Sequence, residues 1–232
     1  MKLPSATLDT IEMGIDQLGI KMYDLIAELY PICRSITGNG VRSTLDIIKK
    51  ITPIEINQVP SGTQVFDWTV PKEWNIKDAY VKDRDGHRII DFQQHNLHVL
   101  NYSVPVHKKV SRAELEEHLY SLPAQPDLIP YRTSYYSENW GFCLSEKQRQ
   151  ALCDDDYEVC IDSTLQDGNL TYGEYYIKGE TDDEILLTCH ICHPSLCNDN
   201  LSGISLVAHL ARILATLSLR YSYRFLFIPG TI

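Results

Sequence analysis

The chain has 232 residues, 44% of them hydrophobic and 22% charged, with a formal net charge of -10. That length suits one large domain, or one domain carrying a smaller insertion. The acidic balance argues against a nucleic-acid or anionic-membrane partner, either of which needs a basic face. No apolar run approaches the ~18 residues of a membrane span. The cysteines at 33, 143, 153, 160, 189, 192 and 197 are odd in number and irregularly spaced, and "MKLPSATLDTIEMG" has no signal-peptide core. A reducing, cytoplasmic compartment is expected.

In chain order, Leu18, Met22, Leu25, Ile26 and Leu29 form a helical stripe that Pro31 stops. "SITGNGVRSTLDIIKKITP" reads as a glycine-rich turn and a second helix with Val41, Leu45 and Ile48 facing inward. Residues 54–59 alternate as a strand should. From about Gly62 to Val110 the texture becomes short strands ("QVFDWTV", "DAYVKD", "HRIIDF", "NLHVLNYSV"), with a turn at Asp85-Gly86. This stretch predicts a small β-rich module inserted into an α/β domain.

Ser111-x-x-Glu114 and Ser145-x-x-Gln148 are capping-box signatures of two short helices. The proline- and aromatic-rich segment between them reads as an ordered loop. It either packs between the two modules or lines a pocket with Arg132, Tyr135, Tyr136 and Trp140. "YEVCIDST", "LTYGEYYIKG" and "EILLTC" follow as strands, and the unbroken Ile185-Leu186-Leu187 predicts a central strand covered on both faces. A helix from near Ser202 to about Leu217, burying Ile204, Val207, Leu210, Ala211 and Leu214, leads to a last strand in "YRFLFIP". The expected layout is a first α/β part over 18–60, the β-rich insertion with its linking helices over 61–150, and a second α/β part over 151–232.

"LLTCHICHPSLCNDNLSG" concentrates the chemistry. His190 follows a strand and Asp199 precedes a helix, and sites in open α/β sheets gather beyond the carboxyl ends of strands. The first N–H groups of that helix favour a carboxylate at Asp199. Imidazole nitrogen and carboxylate oxygen are both good zinc ligands. Taken singly, Asp199 is an ordinary helix cap and His190 an ordinary surface histidine. The rival reading is a structural zinc on Cys189-x-x-Cys192 with Cys197, His190 or His193 added. Against it, strand alternation turns Cys189 into the buried layer, opposite to His190.

"CHICHPSLCNDNLSG" before an amphipathic helix resembles the di-zinc aminopeptidase fold family, whose signature is a strand-end His and then Asp-x-x-Ser-Gly opening a helix, as in Asp199-Asn200-Leu201-Ser202-Gly203. "YPICRSITGNGVR", "VFDWTVPKEWNI" and "YRTSYYSENWGFCLS" add a likeness to a bacterial aminopeptidase-like subgroup, also described as polysaccharide-biosynthesis proteins with an aminopeptidase-like domain. The resemblance implies a zinc-exopeptidase-like mixed sheet flanked by helices and interrupted by the β-rich insertion. It implies two zinc ions in a complete domain, with His190 as a ligand and Asp199 bridging. A family Asp that orients the metal-binding His is replaced by Cys192, which leaves His193 as a candidate for that duty or for substrate contact. The Glu-Glu pair usual after the next strand is replaced by Gly230-Thr231-Ile232, and the further ligands of the family lie beyond residue 232. An N-terminal portion is therefore expected, with the C-terminal part of the sheet missing and association through uncovered apolar faces. The implied activity is release of N-terminal residues from peptides or related amides. The alternative is a non-catalytic peptide- or saccharide-binding protein on the same fold.

Overall fold

The first helical stripe is realised in α1 (Ile15–Leu29), which buries Leu25 and Leu29. The second becomes α2 (Asn39–Lys49), with Val41, Leu45 and Ile48 fully enclosed. Gly38 opens α2 with φ 96°, and a Cβ there would lie 2.1 Å from the carbonyl oxygen of Trp74, so the turn needs glycine on both counts. The structure, a computed structural model, describes residues 14–230. The reading of the N-terminal stretch as lacking a signal core, and the readings at Thr231 and Ile232, lie outside the described residues.

Two four-stranded sheets organise the chain. The first has the order β1 (Glu55–Pro60), β10 (Asn169–Ile177), β12 (Ser222–Ile228), β11 (Glu184–His190). Its β11 and β12 are parallel and joined through α5 (Ser202–Leu214), and the other pairs are antiparallel, so the sheet is mixed. Phe225 and Phe227 of β12 and Cys189 of β11 share a core with Leu25, Leu45, Ile204 and Ala208 from the three helices. The opposite face carries Arg224, which pairs with Glu174 and Glu184.

The second sheet has the order β5 (Arg88–Asp91), β4 (Glu73–Lys82), β9 (Asp156–Gln166), β6 (Val106–Ser111). It encloses its own core around Trp74, Val81, Phe142, Val159 and Ile161, to which the short parallel pair β7 (Leu119–Tyr120) and β8 (Phe142–Cys143) contributes. One of the two capping boxes is complete, and the other keeps only its serine cap. Ser111 caps the short α3 (Arg112–Glu116), and Ser145 and Gln148 exchange both bonds at α4 (Glu146–Gln150). Among the described residues, no helix is long and apolar enough to cross a membrane.

Four expectations are corrected. The strand at 156–166 pairs with β4 and β6 of the insertion, not with the first sheet, because its alternating Tyr157, Val159 and Ile161 complete the second core. "QVFDWTV" is a tight hairpin, β2 (Gln64–Val65) and β3 (Trp68–Thr69), turning at Phe66-Asp67. "NLHVL" forms a 3-10 turn at Asn96–His98, where the His95 ring accepts the Leu97 N–H at 3.1 Å. Finally, among the described residues β11 has a strand neighbour on one side only, and Leu186, on the face away from the helices, is 55% exposed.

Candidate metal centre

Alternation along β11 sends Cys189 to the helix-covered face beside Phe227 and His190 to the other. The chain beyond His190 is pinned between the two cores, with Ile191 packed in the first and Cys192 in the second. Backbone contacts fix it further. The Ile191 N–H donates to Ile228 O at 2.9 Å, and the Gly230 N–H reaches Cys192 Sγ at 3.4 Å. Arg34, fully buried, donates through Nε to His193 O at 3.1 Å and through Nη1 to Leu29 O at 2.7 Å.

Asp199 is not the helix cap expected of it. Cys197–Leu201 form an irregular turn with a cis Asp199-Asn200 peptide, and the regular helix begins at Ser202 with Leu201 in the cap position. The carboxylate is free to turn toward the histidines. Asp199 Oδ1 lies 2.5 Å from His190 Nε2, and Oδ2 lies 3.2 Å from His193 Nδ1. The Asn200 side chain donates to His190 O at 3.3 Å and to Cys189 Sγ at 3.2 Å, tying this turn to the strand end.

One ligand atom from each of His190, His193 and Asp199 falls within a 4.8 Å cluster. Two imidazoles and a carboxylate are an ordinary zinc donor set, so these residues fit the implied metal. Burial pushes the His193 imidazole below its ordinary range, partly offset by the Asp199 carboxylate, which leaves it neutral and able to ligate at neutral pH. The two histidine side chains are 21% and 13% exposed and Asp199 60%, so the cluster is walled on the imidazole side and open at the carboxylate.

The cysteine alternative lacks this convergence. Burial pushes the Cys189 thiol up to about 12 and raises Cys192 as well, and their side chains serve different cores. Protonated thiols in apolar surroundings are poor ligands.

The aromatic loop divides. Tyr136 borders a cavity of about 600 Å³, and Tyr135 joins it around a smaller one of about 180 Å³. Tyr135 is otherwise core, edge-on to Tyr102 at 5.2 Å. Trp140 stacks on His118 at 3.6 Å and serves packing within the insertion, whereas the Arg132 side chain is exposed and its carbonyl accepts the Asn101 N–H at 2.9 Å. The loop residue that meets the centre is Tyr131, its ring 4.9 Å from that of His193. Tyr131, Arg34 and Asn200 were not singled out from the sequence. Asn200 stood beside Asp199 in the quoted motif, whereas no spacing rule marks Arg34 or separates Tyr131 from its aromatic neighbours.

Residues 23–232 match the family described as a domain of unknown function, DUF4910. A Clostridium acetobutylicum protein, provisionally named a polysaccharide biosynthesis protein with an aminopeptidase-like domain, is 62% identical over 216 residues, 93% of this chain and 50% of its own length. A crystal structure of a provisionally named peptidase from the same organism superposes with a TM-score of 0.92 at 60% identity, covering 96% of this chain and 54% of that one. The chain thus spans about half the length of these relatives. A zinc aminopeptidase from Bacillus subtilis superposes at TM-score 0.54 and 12% identity, covering 89% of this chain and 60% of that one, a likeness of fold alone. The mixed α/β architecture is that of the zinc aminopeptidases, and with the match across 23–232 the chain belongs to the DUF4910 family.

Proposed function

We propose that this chain carries part of the metal centre of a zinc-dependent, aminopeptidase-like hydrolase acting on peptides or related amides. The observation that carries the reading is the convergence of His190, His193 and Asp199 at the carboxyl end of β11. A bound zinc ion would supply Lewis-acid polarisation of a scissile carbonyl. The chain's own contribution is to hold two imidazoles in place and to set a negative charge between them. Arg34 and Asn200 fix the backbone at His193 and His190, and Tyr131 shields the His193 ring. Asp199 contacts both histidines and so is committed to the cluster, and no residue is assigned as general base.

The second reading is a peptide- or saccharide-binding protein on the same fold, and it rests on the motif position after β12. Where the resemblance implied a glutamate pair, β12 runs into Pro229-Gly230. Seven unpaired cysteines favour a cytoplasmic setting. The exposed edge of β11 favours self-association.

Zinc per chain, measured after chelator-free purification, tests the centre. Zinc should bind the parent protein, fall at least tenfold in occupancy in Asp199→Ala, and persist in Cys189→Ala/Cys192→Ala. Loss in the cysteine variant alone would overturn the site. Zinc retention without turnover of aminoacyl p-nitroanilides would favour the binding-protein reading.

A further inference from the structure

A cavity of about 600 Å³ is lined by Ile36, Asp67, Trp68, Tyr136, Leu170, Pro229 and Gly230. Its volume suits a small-molecule ligand. It is built jointly by the two modules. Asp67 and Trp68 come from the β2–β3 hairpin of the insertion, Tyr136 comes from the aromatic loop, and Leu170, Pro229 and Gly230 come from the first sheet. It lies beside the metal centre, because Ile228 pairs with His190 and leads directly into Pro229. A second path joins them. The Tyr131 ring meets His193, its hydroxyl lies 2.8 Å from that of Tyr135, and the Tyr135 ring stands edge-on to Tyr136 at the cavity wall.

The hairpin is locked in shape. The Gln64 side chain donates to Phe66 O at 2.8 Å and accepts from Thr69 Oγ1 at 2.7 Å, bracing the turn from inside. Phe66 holds φ 53° without being glycine and is 97% exposed. A left-handed backbone and a solvent-exposed phenyl ring both oppose folding, and outliers of this kind concentrate at ligand-binding segments. Asp67 and Trp68 follow at once. Among the described residues of the lining, Asp67 is the one that carries a charge, and Trp68 and Tyr136 line the cavity with it. A carboxylate beside aromatic side chains, with no basic residue among the described lining, is complementary to a cation.

We infer that this cavity is a specificity subsite for a positively charged side chain, with Asp67 pairing the ammonium or guanidinium group and Trp68 and Tyr136 enclosing it. That the side chain belongs to the residue at the scissile amide rests on the hydrolase reading, whereas the binding of a cation does not. The insertion then has a purpose, which is to bring an acidic, aromatic hairpin to the carboxyl end of the first sheet.

The test is calorimetric binding of L-lysine amide and L-arginine amide to the whole chain, compared with L-norleucine amide, which has a similar side-chain reach without the charge. The charged amides should bind at least tenfold more tightly. Asp67→Asn should abolish that preference, and Trp68→Ala should weaken both cationic ligands, with circular dichroism unchanged in each. Equal affinity for norleucine amide, or a preference that survives Asp67→Asn, would overturn the subsite. So would tighter binding of N-acetylglucosamine that is indifferent to Asp67→Asn, since that would make the aromatic wall a saccharide platform. The metal centre is read separately, by zinc per chain. Selective cation binding in a chain that takes up no zinc sinks the hydrolase reading and leaves the subsite standing, and zinc uptake lost in Asp199→Ala without any charge preference does the reverse.

Discussion

Replacing Glu73 with Gln should loosen the joint between the two sheets. Its carboxylate lies at the start of β4 and gathers donors from both modules. Arg42 of α2 reaches it twice, at 2.5 and 2.9 Å, and the Asn75 side chain and the Asn169 N–H each reach it at 3.0 Å. The Arg42 guanidinium is the main reason that the carboxyl is held down from 4.5 to about 2. At ~1.4 kcal/mol per pH unit, such a displacement stabilises the folded chain by about 3 kcal/mol. Arg42 is 29% exposed, so solvent screening trims this toward about 2 kcal/mol. A glutamine keeps one acceptor oxygen and loses the paired guanidinium geometry.

The folded carboxyl titrates lower than the unfolded one, so this contribution is whole above about pH 4.5 and fades as the pH falls toward 2. Urea unfolding at pH 7 should therefore show Glu73→Gln destabilised by about 2–3 kcal/mol. The gap to the parent protein should narrow between pH 4.5 and 3. A loss under about 1 kcal/mol at pH 7, or a gap that does not change down to pH 3, would refute the reasoning.

Other outcomes follow from the same structure. Gly168→Ala would set a Cβ 2.5 Å from Glu73 Oε2, so it should cost about 1–3 kcal/mol and combine less than additively with Glu73→Gln in urea titrations. Burial lowers the titration of His95, His98 and His193, so in the metal-free protein the unfolded state takes up protons first. Thermal stability should then decline as the pH drops below about 6.5, and His98→Gln should flatten part of that decline. Leu186→Lys, on the exposed edge strand, should shift sedimentation toward the monomer without lowering Tm by more than a few degrees. A parent protein that is already monomeric at high concentration would remove the basis for that expectation.

Periodicity carried the sequence reading wherever one residue's neighbours decide its environment. Leu25, Leu29, Val41, Leu45 and Ile48 read correctly because a helix face is a local property. The mixed sheet and the β-rich insertion were also legible. Strand partnership was not. The segment at 156–166 alternates as well for one sheet as for the other, and its place in the second sheet depends on β4 and β6, about 45 to 93 residues away. Likewise Ile185-Leu186-Leu187 has the composition of a central strand, yet its burial depends on how many neighbours flank it.

The convergence of His190, His193 and Asp199 follows from a different constraint, and the spacing had marked only His190 and Asp199 as ligands. In the run from Cys189 to His193, Cys189 and Ile191 serve the first core and Cys192 serves the second, so the two histidines are the side chains that face neither. A C-x-x-C pair needs both sulfurs on one side of the backbone, and here burial commits them to opposite structures. Packing thus favours the proposed histidine-aspartate centre over the cysteine alternative, which composition alone leaves balanced with it. What spacing could not supply was the turn at Asp199. A helix-capping aspartate would point at its own N–H groups, and only the irregular Cys197–Leu201 segment frees its carboxylate to meet both imidazoles.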